Sequence, residues 1–518
     1  MSTRQNSVDI ALLLEGTYPF VSGGVSGWVH QMLQGFPELT FAVIFIGSRR
    51  NDYGSQRYEM PPNVSVMQTH YLYDQEDLPR VTPVKGDAST FDRVERMHEY
   101  FRAPIAHQSS AHLIGELADE LDTKLSFVDF LYSERSYDYI RRQFNRYSSD
   151  PSFVDYFWTI RIMHAPIWRL AKIRDGLPVA RAYHSISTGF AGMLGVLAKR
   201  KFGRPLIVSE HGIYTKERRI DLFAAQWIAD NRSLFERDTA EIAYFRQLWI
   251  RFFEAIGRAA YDAADQIVAL FEANRERQVA DGAINDRTQN IPNGIDITRF
   301  AALREKRPVT PPRILCLVGR VVPIKDVKTF IRAMRVMINR MPDVEGWIAG
   351  PVDEDPAYAD ECRGLIEALG LRARVKMLGL QTMTEILPKV GLVVLSSISE
   401  ALPLSVLEAF AAGIPVVTTD VGSCAELIYG ASAEDRALGA AGEVVGIANP
   451  QALAEAAVSL LADQEGWERA ARTAIARVER YYSDKLMFDR YRILYQQALE
   501  QANIPTQPAY AASARGAR

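Results

Sequence analysis

Four charged side chains sit where they could bind and react with an anion: Arg320, Lys325, Glu400 and Glu408. Arg320 follows the apolar run RILCLVG directly, and Lys325 comes five residues later in GRVVPIKD. Two cations just past a strand could neutralise a diphosphate, the guanidinium as a fork and the ammonium as a point charge. Glu400 and Glu408 enclose ALPLSVL, with Pro403 suited to the first turn of a helix because its missing N–H would be unpaired there anyway. The first carboxylate then precedes the helix and the second lies about one turn inside it. A helix start offers unpaired N–H groups and a partial positive charge, worth about 0.3–1 kcal/mol to an anion at an exposed site. A phosphorylated ligand is expected there. Far upstream, Gly23-Gly24 lets a backbone approach a ligand closely, and His184 and His211 close two apolar runs.

The elements that must position these residues follow from hydrophobic period. LVVL before Ser396 reads as a strand buried on both faces, and Leu404, Leu407, Phe410 and Ala411 recur at helical spacing until Gly413 and Pro415 stop the helix. RILCLVG, GWIAGP, RVKMLG, LVVLSS and PVVTT predict five strands, with helices at 327–339, 358–369, 383–388 and 404–412. In the first half, DIALLL, FAVIFIG, NVSVMQTHYLY, VARAYHSIS, PLIVSEHG and QIVALF predict strands, and 221–264 reads as a long aromatic helical region broken by polar turns. Between 74 and 178 strands are hard to find; VERMHEYFRAP, HLIGELADELDTKL and YDYIRRQFNRY read as helices of an insertion. The expected architecture is α/β, with two doubly wound domains facing across a cleft. The first spans 1–297, carries the insertion and is completed by a C-terminal helix at 484–505. The second spans 298–483, and 506–518 is a frayed tail.

Composition narrows the class. A length of 518 residues exceeds one ordinary domain, and a formal net charge of −3 gives no support for nucleic-acid binding. Three cysteines, Cys316, Cys362 and Cys424, are few and odd in number, which suits a reducing compartment without a disulfide framework. The opening MSTRQNSVDIALLLEG holds one basic residue and a short apolar run, unlike a secretory signal, and no apolar stretch reaches about 18 residues. A cytoplasmic protein is expected, with any contact with the inner membrane made through protein partners or a surface patch.

The motifs together resemble a known family. GRVVPIKD, EALPLSVLE, NGIDITRF, SEHG and SGGVSGW are similar to those of the retaining nucleotide-sugar glycosyltransferases of family four, which have the GT-B fold of two Rossmann-like domains. Within it, the long insertion and LLLEGTYPFVSGGVSGWVHQ resemble most the cytoplasmic members of Pel exopolysaccharide biosynthesis. The resemblance implies that Glu408 accepts hydrogen bonds from a nucleotide ribose and that Glu400 contacts donor-sugar hydroxyls. It implies that the backbone of Leu402, Pro403, Leu404 and Ser405 meets sugar and diphosphate. It assigns Arg320 and Lys325, helped by Gly23 and Gly24, to the diphosphate, and places His211 near the bond that breaks. It implies a UDP-sugar donor (UDP-glucose first), a polysaccharide acceptor, Pel synthase proteins at the inner membrane as partners, and no metal or other cofactor. Cations aimed at the leaving diphosphate supply what a metal would otherwise supply. A sugar-nucleotide-binding subunit without turnover, or an epimerase of similar fold, are the rival readings.

Weaker signals carry bland alternatives. Asp353-Glu354-Asp355 has the D-x-D spacing of metal-dependent transferases, yet an acidic helix start explains it more simply. His184 either lines the ligand side or is structural; Glu210 either orients His211 or points away. Asp296 is expected to order its loop, and Cys424 to be packed rather than nucleophilic. Ala401 stands where the family often has glycine and Phe271 where serine is common, which bears on sugar and acceptor contacts.

Overall fold

Near-continuous apolar runs become central parallel strands, because only strands covered on both faces can bury such runs. The computed structural model describes residues 7–74, 80, 84–102, 114, 125–225, 227–228, 230–232, 242–308 and 310–503. It divides into two compact units: residues 1–269, 275–290 and 492–518 form the first, and 270–274 with 291–491 the second.

The first unit holds a seven-stranded, all-parallel sheet of β1 (Val8–Glu15), β2 (Phe41–Gly47), β3 (Val64–Tyr71), β4 (Ala180–Ser185), β5 (Leu206–Glu210), β6 (Gln266–Ala269) and β7 (Thr288–Asn290), in the order β3-β2-β1-β4-β5-β6-β7. Strand order reverses between β1 and β4, where Leu12 pairs with His184. Open α/β sheets bind ligands beyond the carboxyl ends of strands at such a reversal, which is where the glycine-rich loop after β1 lies.

The second unit holds six parallel strands: β8 (Ile314–Val318), β9 (Glu345–Ala349), β10 (Val375–Gly379), β11 (Leu392–Leu395), β12 (Val416–Thr419) and β13 (Gly442–Val445), ordered β10-β9-β8-β11-β12-β13. Its reversal lies between β8 and β11, the strands that lead into Arg320 and Glu400. Five strands were expected here. The sixth, GEVV, has a single exposed glutamate and a half-buried valine pair, too little apolar pattern to show at an edge.

Between β3 and β4 the chain forms helices Ala88–Arg102, Phe127–Tyr132, Glu134–Tyr147 and Phe153–Asp175. The expected helix over HLIGELADELDTKL falls outside the described residues apart from Ile114 and Leu125. Helix Phe153–Asp175 was not anticipated. It buries Tyr156, Ile160, Met163 and Ile167 on one face while its other face carries Val154, Trp158 and Ile162, so the amphipathic contrast that marks a helix is blurred. Ser152 caps it, accepting from the Asp155 N–H at 3.3 Å. The aromatic region expected at 221–264 divides into helices Tyr214–Ala224 and Tyr244–Ala263, the described residues between them being non-helical. The last helix is Asp484–Ala502, and the tail at 506–518 lies outside the described residues. Among the described residues no helix is long and apolar enough to cross a membrane.

Candidate functional site

In the second unit, three loops are locked together beyond the ends of β8, β11 and β12. Ser396 Oγ donates to the carbonyls of Lys325 and Asp326, both at 3.0 Å, and the Ile398 N–H donates to the Ile324 carbonyl at 2.9 Å. The Ser423 N–H reaches the Ala401 carbonyl at 2.8 Å. Gly422 makes this approach possible: its φ is +55°, and a Cβ there would lie 2.3 Å from the Glu400 carbonyl oxygen. Within this frame, the Glu400 carboxylate accepts from Lys325 Nζ and from Ser397 Oγ at 2.6 Å. The Glu400 and Lys325 side chains are 12% and 18% exposed, so the pair is largely shielded from water and removing either partner leaves the other charge uncompensated.

The other residues surround this pair at different depths. Arg320 is exposed and forms an ion pair with Glu354. The neighbouring Asp355 caps helix Pro356–Ala368, accepting from the Tyr358 N–H at 3.0 Å. The acidic triplet thus neutralises a cation and starts a helix, and among the described residues no group of three His, Cys, Asp or Glu is arranged to hold a metal ion. Helix Leu404–Ala411 begins one residue after Pro403, which is its cap rather than part of its first turn. Leu402 and Pro403 are buried, whereas Leu404 and Ser405 are partly open. Glu408, half-buried on this helix, has its pKa pushed up to about 7 by burial, with Arg299 pulling the other way.

In the first unit, helix Gly24–Gly35 starts immediately after Gly23. A Cβ at Gly23, Gly24 or Gly27 would meet nothing within 4 Å, so this unit's own packing does not demand glycine there. The imidazole of His211 stands edge-on to Trp28, with ring centres 4.6 Å apart. It is 8% exposed, and neither ring nitrogen has a hydrogen-bond partner among the described residues. Burial lowers its pKa to about 4, so the ring is neutral near pH 7, with one nitrogen able to donate and the other to accept. Glu210 points away from it. Its carboxylate accepts from Thr188 Oγ1 (2.8 Å), Gln278 Nε2 (3.1 Å), the Tyr214 N–H (3.2 Å) and the Tyr261 hydroxyl. The Tyr214 bond closes the turn on which His211 rides.

His184 is structural: fully buried, it bonds Tyr495 Oη at 2.9 Å and Ser209 Oγ at 2.8 Å. Asp296 caps helix Ile297–Ala301 and also accepts from Thr298 Oγ1 at 2.5 Å. Cys424 is fully buried, its thiol pushed up to about 12 by burial, and all three cysteines are free. Phe271 belongs to the apolar core of the second unit, with Ala401 packed beside that core. Sequence reasoning gave no site role to Ser397, Gly422, Arg299 and Trp28. Ser397 could have been found three residues before Glu400, and Gly422 just past the end of PVVTT; Arg299 and Trp28 reach their partners only through folding.

Residues 8–286 match the family described as Domain of unknown function (DUF3492), and residues 299–477 match Glycosyl transferases group 1. Over 246 residues the chain is 29% identical to D-inositol 3-phosphate glycosyltransferase of Rhodococcus jostii, an overlap of 45% of this chain and 50% of that protein. The chain therefore spans about half the length of the curated relatives it matches. Among solved structures, the Anabaena protein HepE in complex with UDP and glucose superposes with a TM-score of 0.57 at 15% identity, over 94% of this chain and 99% of that one. Sucrose-phosphate synthase of Thermosynechococcus elongatus superposes at 0.56 and 16% identity, over 95% and 99%. At such identities the likeness concerns the fold, which is GT-B. With more than half of its residues under the first family model, the chain belongs to the DUF3492 family and carries a Glycosyl transferases group 1 domain behind it.

Proposed function

We propose that this chain is a retaining glycosyltransferase that takes a hexose from a UDP-sugar, UDP-glucose first, and adds it to a growing exopolysaccharide of the Pel type. The observation that carries the reading is the shielded Lys325–Glu400–Ser397 cluster beside the Leu404 helix start, at the β8/β11 reversal. HepE, whose structure contains UDP and glucose, lends support to the donor class. In the proposed reaction the sugar–phosphate bond breaks and its electron pair passes to the leaving diphosphate oxygen. The acceptor hydroxyl attacks from the same face and its proton goes to the departing phosphate. Lys325 and Arg320 offset the charge that grows on the diphosphate, for which Arg320 exchanges Glu354 for a phosphate oxygen. Glu400 and Glu408 take the sugar and ribose hydroxyls. The parts given to His211, Gly23 and Gly24 rest on the family resemblance, and the domain limits 1–297, 298–483 and 484–505 are carried forward in the same way.

The test is release of UDP from UDP-glucose, with and without a chelator, by the unmodified chain and by Glu408→Ala. UDP release that depends on acceptor and drops in the variant supports the reading, whereas an unaffected variant overturns it. Tight UDP binding without turnover would make the chain a binding subunit. Conversion of the donor with no acceptor present would make it an epimerase.

A further inference from the structure

The first unit leaves an apolar stripe facing water on each of two helices. On Phe153–Asp175 it consists of Val154, Trp158 and Ile162, four residues apart and 63%, 53% and 43% exposed, on the face opposite the buried Tyr156 and Ile160. Around helix Tyr214–Ala224 it consists of Ile220, Phe223 and Trp227, the indole being 66% exposed. Asn231 fastens the two together: its side chain donates to Asp150 at 3.1 Å and Asp155 at 2.8 Å, and its N–H to Asp150 at 2.9 Å. The turn bearing Trp227 is thereby held on the first turn of the helix that presents Val154 and Trp158. Six large apolar side chains between 43% and 66% exposed thus lie on two segments tied to one another, and clustered exposed apolar residues of this kind mark interaction sites.

Cations frame the stripes. Exposed Lys216 and Arg219 lie about one turn before Ile220 and beside it, with the acidic Glu217 and Asp221 on the same helix, and the half-buried Arg161 guanidinium, which donates to the Leu131 carbonyl, stands 5.0 Å and 5.7 Å from the Phe157 and Trp158 rings. Helix Glu134–Tyr147, packed against Phe153–Asp175, carries four arginines against two carboxylates. The chain as a whole is slightly acidic, so this basic character is local. We propose that this face seats the chain on an anionic lipid surface, with the two tryptophans at the boundary between headgroups and acyl chains. Tryptophan flanked by arginine and lysine is the composition of interfacial helices, which lie in the membrane plane without crossing it. A sugar-binding platform would consist of flat rings without the branched Val154, Ile162 and Ile220.

The experiment is flotation of the full chain with vesicles of phosphatidylcholine alone and of phosphatidylcholine mixed with phosphatidylglycerol. The chain is expected to float with the anionic vesicles, to stay behind with the neutral ones, and to be released by salt. Trp158→Ser with Trp227→Ser should weaken association by about tenfold or more, and Lys216→Glu with Arg219→Glu by about tenfold. Circular dichroism checks that the variants fold; should one fail, the lipid and salt dependence of the unmodified chain still decides. The proposal is overturned if the unmodified chain ignores anionic vesicles at low salt, binds both kinds alike, or binds only when membrane proteins are added, which would make the face a protein-docking site.

Discussion

The two units prepare their polar groups in opposite ways. In the second, charge is kept and compensated: Lys325 holds Glu400 and Arg320 holds Glu354. In the first, charge is removed: His211 is buried against Trp28, neutral, with neither nitrogen bonded among the described residues. A compensated pair can exchange partners with an incoming anion at low cost, because both charges already sit in a polar frame. A neutral, unpaired imidazole instead retains donor and acceptor capacity that burial has made expensive to leave unused. In the proposed reaction the first arrangement meets the diphosphate and the second a neutral hydroxyl.

Each side of this contrast can be broken. Lys325→Ala would leave the shielded Glu400 with Ser397 alone, and kcat/KM should fall by about 3 kcal/mol, or about a hundredfold, with a lower urea midpoint. An unchanged midpoint would mean the pair is solvated and the contrast between units is false. Glu408→Ala should cost about 1.5–3 kcal/mol in donor use, read as kcat/KM for UDP-glucose. The pH dependence should have opposite signs at Glu408 and at His211. The folded Glu408 has a raised pKa, so its contribution to stability is complete below 4.5 and is lost as pH rises through about 7. His211 has a lowered pKa, so its contribution is complete above 6.5 and is lost as pH falls through about 4. Urea midpoints across this range should flatten in part on the alkaline side in Glu408→Gln, since Glu217 shares its sign, and in part on the acid side in His211→Asn, since His98, His164 and His184 share its sign. The smallest effect is expected from Glu354→Gln, which frees Arg320 from an exposed pair and should tighten UDP binding about threefold by calorimetry. Weaker binding would show that Glu354 helps to place the guanidinium.

Much of the fold was legible because its strands are nearly pure apolar runs and its turns carry glycine and proline. DIALLL, FAVIFIG, RILCLVG and LVVL each became a central strand, whereas the edge strand GEVV and the two-faced helix Phe153–Asp175 gave no such contrast and were missed. At the candidate site, the positions of Arg320, Lys325, Glu400 and Glu408 relative to strand ends could be read, but not their partners. Lys325 and Glu400 are separated by three helix–strand units, and only the β8/β11 pairing brings their loops together. The same holds for Glu210, whose four donors come from scattered loops and helices and turn it away from the adjacent His211.

Local sequence determined which residues stand at strand ends and helix starts, because period, capping and turn preference act over a few neighbours. Tertiary structure alone decided which of those residues are paired, which are desolvated and which apolar stripes stay in water. Those properties depend on strand order and on how helices cover the sheets, so side chains far apart in the chain share one dielectric environment.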